Sequence, residues 1–229
     1  MIAGLQKMTL LDYPGKVAAT VFIGGCNFRC PYCHNASLID PAGQTPALTE
    51  EEFLAFLDSR RGLLDGVCVS GGEPLLWSGL TALLEKIKEM GFLIKLDTNG
   101  SFPARLKRLV DAGLIDAVAM DVKHAPAKYG QAAGISSDLL PALRESVEYL
   151  LTNPVDCEFR TTVVKGMHTA EDIAEIAKWL QGAGKYFLQN FEDSPDVLTP
   201  GLQGADAEEL QAFVDVARVY IPAAQLRNV

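Results

Sequence analysis

The sequence predicts an α/β fold, an open and partial (β/α)6 barrel of parallel strands. Six short apolar runs alternate with six amphipathic helical patterns along the chain, the arrangement of a parallel sheet wound by right-handed crossovers. Six such units fall short of the eight that close a full barrel. Polar motifs also recur where the apolar runs end, which is where parallel α/β architectures bind ligands. The 229 residues are expected to form one domain, 1–229, with one sizeable core.

After a Tyr13-Pro14-Gly15 turn, Val17 to Ile23 is a nearly continuous apolar run, read as a buried strand. Residues 37–48 carry Pro41, Gly43 and Pro46 and read as irregular. Thr49-Glu50-Glu51-Glu52 then makes a capping box for a helix with Phe53, Phe56 and Leu57 on one face, stopped at Gly62. Val67 to Val69 is the second strand, followed by a helix with Leu80, Leu83, Leu84 and Ile87 inward and Gly91 at its close. Phe92 to Leu96 precedes a helix burying Leu106, Leu109 and Val110. Ala117 to Met120 precedes a Gly- and Pro-containing connection and a helix over about 138–152 that Asn153-Pro154 ends. Cys157 to Val164 is the fifth strand, backed by Ile173, Ile176, Ala177 and Leu180. Lys185 to Phe191 is the sixth, and Leu210, Phe213, Val214 and Ala217 face inward from a terminal helix.

Cys26, Cys30 and Cys33 fall within eight residues at C-x3-C-x2-C spacing, and the next cysteine is Cys68. Three thiolates can hold three corners of a four-iron, four-sulfur cube and leave the fourth iron open to a substrate or cofactor. A cluster used only for electron transfer would take a fourth cysteine. Zinc held by these three and His34 is the structural alternative, disfavoured because adjacent side chains such as Cys33 and His34 seldom point at one ion. Cys68 and Cys157 lie inside apolar runs and read as buried small hydrophobes.

Read alone, the strand-end motifs keep two meanings. Gly71-Gly72 is a strand-to-helix turn or a close backbone approach to a ligand, and Glu73 can stabilise the helix start that follows. Asp97-Thr98-Asn99-Gly100 is a tight turn or a ligand-facing acid. Lys123 shares a face with Asp121 two residues earlier. Arg160 alternates with apolar neighbours, as a ligand contact or a salt-bridged strand residue. His34 and His168 lack a nearby nucleophile and receive no catalytic role.

With Tyr32 before the last of its cysteines, the loop resembles the C-x3-C-x-aromatic-C signature of the radical S-adenosylmethionine (SAM) enzymes. The likeness extends from Leu5 to Gly15, through the loop, to Ser70-Gly71-Gly72-Glu73-Pro74. Within that superfamily it is most similar to the activating proteins of glycyl-radical enzymes, those of anaerobic ribonucleoside-triphosphate reductase in particular. The resemblance implies a partial barrel of the radical SAM type and a 4Fe-4S cluster on Cys26, Cys30 and Cys33, the catalytic centre, with Tyr32 beside it. It also implies SAM held by Gly71, Gly72, Glu73, Asp97, Asp121 and Lys123, with a monovalent cation near Asp97 and Asp121. The implied partners are a glycyl-radical enzyme and a flavodoxin- or ferredoxin-type electron donor. One departure stands out: pyruvate-formate-lyase activators carry a histidine near the end of the sixth strand, where this chain has Leu188-Gln189-Asn190-Phe191.

Composition narrows the partners further. A net charge of −9, with no basic cluster longer than Arg60-Arg61, argues against a nucleic-acid backbone. No stretch has membrane-spanning length or the form of a secretory leader, so a cytoplasmic location is expected. The rim of the barrel's side opening is expected at Thr9 to Pro14 and Gln189 to Phe191. The rival functions are activation of a pyruvate-formate-lyase-type enzyme, turnover of a small molecule such as a deazapurine precursor, and a non-catalytic zinc or electron-transfer module.

Overall fold

The computed structural model describes residues 1–40 and 46–227. Their eight strands form one sheet in sequence order: β1 (Ile2–Thr9), β2 (Ala18–Ile23), β3 (Gly66–Gly71), β4 (Leu93–Thr98), β5 (Ala117–Asp121), β6 (Asp156–Val163), β7 (Tyr186–Asn190) and β8 (Ala224–Arg227). β2 through β8 run parallel, and β1 alone is antiparallel, pairing Ile2 with Ile23 and Thr9 with Ala18. β1 and β8 are the two edges, so the described sheet is open, as six units imply.

The expected six strands are β2 to β7. The edge strands went unread for a physical reason: β1 exposes Gln6, Lys7 and Met8 and is interrupted by Gly4, while β8 is four residues long. Neither presents the continuous apolar run of a strand buried on both faces.

The helices are α1 (Glu50–Asp58), α2 (Leu80–Glu89), α3 (Pro103–Asp111), α4 (Tyr129–Ala133), α5 (Leu140–Leu151), α6 (Ala170–Trp179) and α7 (Ala207–Arg218). The capping box at α1 forms: Glu52 N–H donates to Thr49 Oγ1 at 3.2 Å and Thr49 N–H to Glu52 Oε2 at 2.7 Å. The inward residues read from helical spacing on α2, α3, α6 and α7 are all buried. The short α4 was read as part of a connection. Of the stretch read as irregular, Ala36–Leu38 forms a 3-10 turn, while Pro41 and Gly43 lie outside the described residues.

One expectation is corrected. Thr9 pairs with the first residue of β2, so Thr9 to Pro14 lies beneath the barrel, at the amino ends of the parallel strands. Tyr13 packs there against Ala18 and Ala117, with Leu93 alongside. This segment plugs the underside and cannot rim a mouth at the opposite ends of the strands. Tyr13→Ala should therefore lower unfolding free energy by about 3 kcal/mol, measured by denaturant titration, while leaving the iron content of reconstituted protein unchanged.

Candidate active site

Each parallel strand from β2 to β6 ends in chemistry. β2 runs into the cysteine loop, β3 into Ser70-Gly71-Gly72, β4 into Asp97-Thr98-Asn99, β5 into Asp121 and Lys123, and β6 carries Arg160 and Thr162. These side chains, with Gln189 of β7, line one cleft. The structure thus brings Cys26, Cys30, Tyr32, Cys33, Gly71, Gly72, Asp97, Asp121 and Lys123 together at a single mouth.

The cysteine loop is held by its backbone. Gly25 N–H donates to Leu38 C=O at 2.8 Å, Cys26 N–H to Ile39 C=O at 3.1 Å, and Arg29 N–H to Ala133 C=O at 2.9 Å. All five cysteines are free. Burial pushes the Cys30 thiol up to about 12 and raises Cys26 as well. Burial thus favours the protonated thiols, and a metal held there would displace those protons. Tyr32 is buried, and its hydroxyl donates to Lys123 C=O at 3.2 Å, joining the cysteine loop to the end of β5.

Among the described residues no three His, Cys, Asp or Glu side chains gather around a single ion position. His34 donates Nε2–H to Glu192 C=O at 2.7 Å and stacks on Phe191 at 5.1 Å. The four-ligand zinc set is not assembled, whereas three thiols on a cube each ligate a different iron.

Gly71 and Gly72 are required by the protein's own backbone. Gly71 has φ +119°, and a Cβ on Gly72 would lie 2.2 Å from Gly25 O. The turn after β3 packs directly on the entrance to the cysteine loop, with Glu73 N–H donating to Gly25 C=O at 2.7 Å. Glu73 is not brought to the cleft. Its carboxylate is fully buried and accepts from Leu75 N–H (3.0 Å), Thr98 Oγ1–H (2.9 Å) and Asn99 N–H (2.6 Å), fastening the end of β3 to the end of β4.

Opposite the thiols stands an array of ions. Arg160 donates Nε–H to Asp121 Oδ1 at 2.9 Å and Nη1–H to Asp97 Oδ2 at 3.2 Å. Lys123 donates to Asp121 Oδ2 at 3.0 Å, and Lys95 to Asp97 Oδ1. Burial alone would raise the Asp97 and Asp121 carboxyls, yet Arg160 with Lys95 or Lys123 holds both below the usual carboxylate range. The position between the two acids is spanned by the Arg160 guanidinium. Of the two readings of Arg160 the salt-bridged strand residue is observed, and its side chain also lines the cleft.

The sequence reading missed Lys95, Glu158 and Arg227 of this array, and Asn27, whose Oδ1 accepts from Asn99 Nδ2 at 3.0 Å. A signal for the first two existed. Lys95/Asp97 and Glu158/Arg160 are opposite charges two apart in otherwise apolar strands, hence on one face. Asn27 had none.

Unpaired thiols facing buried ions at the carboxyl ends of parallel strands define a cofactor-binding α/β barrel. Residues 20–180 match the family model described as the Radical SAM superfamily, and the chain belongs to that superfamily of enzymes, which use a 4Fe-4S cluster and SAM. A Methanocaldococcus jannaschii protein named as a candidate glycyl-radical enzyme activating enzyme is 32% identical over 235 residues, covering 100% of this chain and 96% of that protein. The pyruvate formate-lyase-activating enzyme of Clostridium pasteurianum is 36% identical over 128 residues, 54% of this chain and 52% of that enzyme. Among solved structures, Streptococcus suis SuiB bound to precursor peptide SuiA superposes with TM-score 0.72 at 14% identity, over 91% of this chain and 48% of that one, a likeness of fold. No described helix is long and apolar enough to cross a membrane.

Glu73→Gln would turn an N–H2 toward a backbone N–H, that of Leu75 or of Asn99, and should cost about 1–3 kcal/mol. Burial raises the Glu73 carboxyl from 4.5 to about 7, against the pull of its hydrogen bonds. The folded state then binds more protons than the unfolded chain between those values, so this group makes stability fall as pH rises through that window. The melting-temperature gap between wild type and Glu73→Gln should narrow from pH 5 to pH 8.

Proposed function

We propose that this chain is a glycyl-radical enzyme activating enzyme and that its substrate is an anaerobic ribonucleoside-triphosphate reductase. The observation that carries the chemistry is the facing of the Cys26, Cys30 and Cys33 thiols and the Asp97–Arg160–Asp121–Lys123 array across one cleft. The M. jannaschii relative, alike from end to end, supports the activating role. The narrower choice of reductase rests on the resemblance of the Leu5 to Gly15 stretch and on the absence of histidine from Leu188 to Phe191. A flavodoxin- or ferredoxin-type protein supplies the electron, in a reducing, cytoplasmic setting that keeps the thiols free.

Cys26, Cys30 and Cys33 would ligate the cluster. A cluster and SAM held here would supply one-electron reductive chemistry and, through it, hydrogen-atom abstraction from a glycine α-carbon of the partner. The chain's part is to bind and orient. Arg160 commits Nε and Nη1 to the aspartates, leaving Nη2 and the Lys123 ammonium to take the methionyl carboxylate. Asp97 and Asp121 hold those cations at fixed positions. We assign to Arg160 the positive charge that the resemblance places on a monovalent cation. The backbone at Gly71-Gly72 carries the amino-group side of the cofactor, and Tyr32 keeps the cysteine loop in step with Lys123.

Cys26→Ala, Cys30→Ala and Cys33→Ala should each lose the cluster and SAM cleavage, whereas Cys68→Ala and Cys157→Ala should keep both. Iron content per variant decides it, and a full cluster in Cys30→Ala would sink the ligand assignment. Asp121→Asn should retain iron yet weaken SAM binding at least tenfold by calorimetry, and unchanged affinity would remove its role. For the partner, anaerobic incubation of reductase with this protein, SAM and reductant should give a glycyl doublet by electron paramagnetic resonance, lost when the reductase glycine is replaced. Conversion of a free small molecule, or a radical on a different glycyl-radical enzyme, would overturn the partner and leave the superfamily chemistry standing.

A further inference from the structure

The ions at the mouth do not stop there. Beneath Asp97, Lys95 is only 2% exposed and bridges Asp97 to Glu158, whose Oε1 lies 4.0 Å from its Nζ. Glu158, 7% exposed, is gripped by Arg227, which stands in register with Gln189 on the mouth side and donates Nη1–H and Nη2–H to its two carboxylate oxygens at 2.7 and 2.8 Å. Arg227 is the last residue of β8, and its guanidinium lies 3.6 Å above the Phe187 ring. Charge thus alternates in an unbroken column from the final strand, through the barrel, to the cleft.

The column has room because β5 is narrow on its inner face. Ala119 is the register partner of both Asp97 and Glu158, so a methyl separates groups on β4 and β6 that would otherwise be screened by a larger side chain. Each anion in the column is shared by two cations. Removing Arg227 leaves Glu158 short of its strongest donors, and a buried carboxylate in that state draws on the nearest remaining charge. That charge is Lys95, which can turn to Glu158 only at the expense of Asp97. Asp97 in turn then competes harder for Arg160, the group that also holds Asp121.

We infer that Arg227, Glu158 and Lys95 are positioning residues for the SAM site, fixing Asp97 and Arg160 by balancing the charge around them. The inference rests on the SAM reading of the cleft. It makes the last strand of the sheet part of the cofactor site, although Arg227 itself does not line the cleft. The effect is transmitted by charge, so it is removed by restoring balance and not by restoring shape.

The test is a double-mutant cycle on cluster-reconstituted protein, read by calorimetric SAM affinity without reductant, with iron content and melting temperature alongside. Arg227→Met keeps an apolar stem against Phe187 and removes the charge, and should weaken SAM binding about tenfold with iron unchanged. Glu158→Gln in the Arg227→Met background removes the stranded anion and should recover most of that loss, since coupled charges are non-additive. Arg227→Lys, which keeps the charge and loses the fork, should fall between wild type and Arg227→Met. Wild-type affinity in Arg227→Met, or a loss that the double variant fails to recover while its melting temperature stays low, would make Arg227 a purely structural anchor of β8 and overturn the inference. If Arg227→Met does not fold, Glu158→Gln and Arg227→Lys carry the test on the same two readouts. Failure of the wild-type loaded protein to bind SAM would instead defeat the reading of the cleft.

Discussion

The structure depends on a guanidinium buried between two carboxylates. Arg160 projects from β6 into the barrel, where a lone buried cation would be prohibitively costly. Asp97 from β4 and Asp121 from β5 make the position tolerable, and each needs a second cation because neither is satisfied by one bond. Three neighbouring strands are therefore locked in register by charge as well as by their backbone ladder. The polar column is confined to the inner face, while the outer faces of the same strands present Val118, Met120 and Phe159 to the apolar core under the helices.

A second constraint lies where backbone meets backbone. The turn after β3 sits so close to the start of the cysteine loop that no Cβ fits at Gly72, and its own path needs positive φ at Gly71. Glu73 extends the same junction to β4 by accepting from Thr98 and Asn99. Three strand ends are thus fixed relative to one another by main-chain and buried carboxylate contacts. The side chains that face the cleft inherit that precision, which is what a site holding two cofactors in defined relation requires.

The cysteine loop is also held from the far side of the open sheet. The connection from β7 to α7 crosses to the cysteine loop, with Thr199 N–H donating to Pro31 C=O at 2.9 Å and Ser37 Oγ–H to Asp196 Oδ2 at 2.7 Å. His34 joins the same contact through Glu192 and Phe191. Sequence-distant segments therefore meet beside the cleft although β1 and β8 do not pair. Beneath the barrel the Tyr13 plug serves the opposite end, so access is directed to the carboxyl ends of the strands.

Much of this was written in local pattern. Apolar runs and helical spacing determined the six central units and the inward faces of their helices, because burial of those faces is what drives the elements to form. The cysteine spacing and the strand-end acids likewise placed Cys26, Cys30, Cys33, Asp97, Asp121 and Lys123 at one mouth, since parallel strands deliver their ends to a common side. Only the tertiary structure decided the rest. It turned Glu73 away from the cleft into a bracket between strands, sent Thr9 to Pro14 to the underside, and joined Lys95, Glu158 and Arg227 into one column. Those outcomes depend on which residues from distant segments meet and neutralise one another, and the pairing of charges across a barrel has no period along the chain from which it can be read.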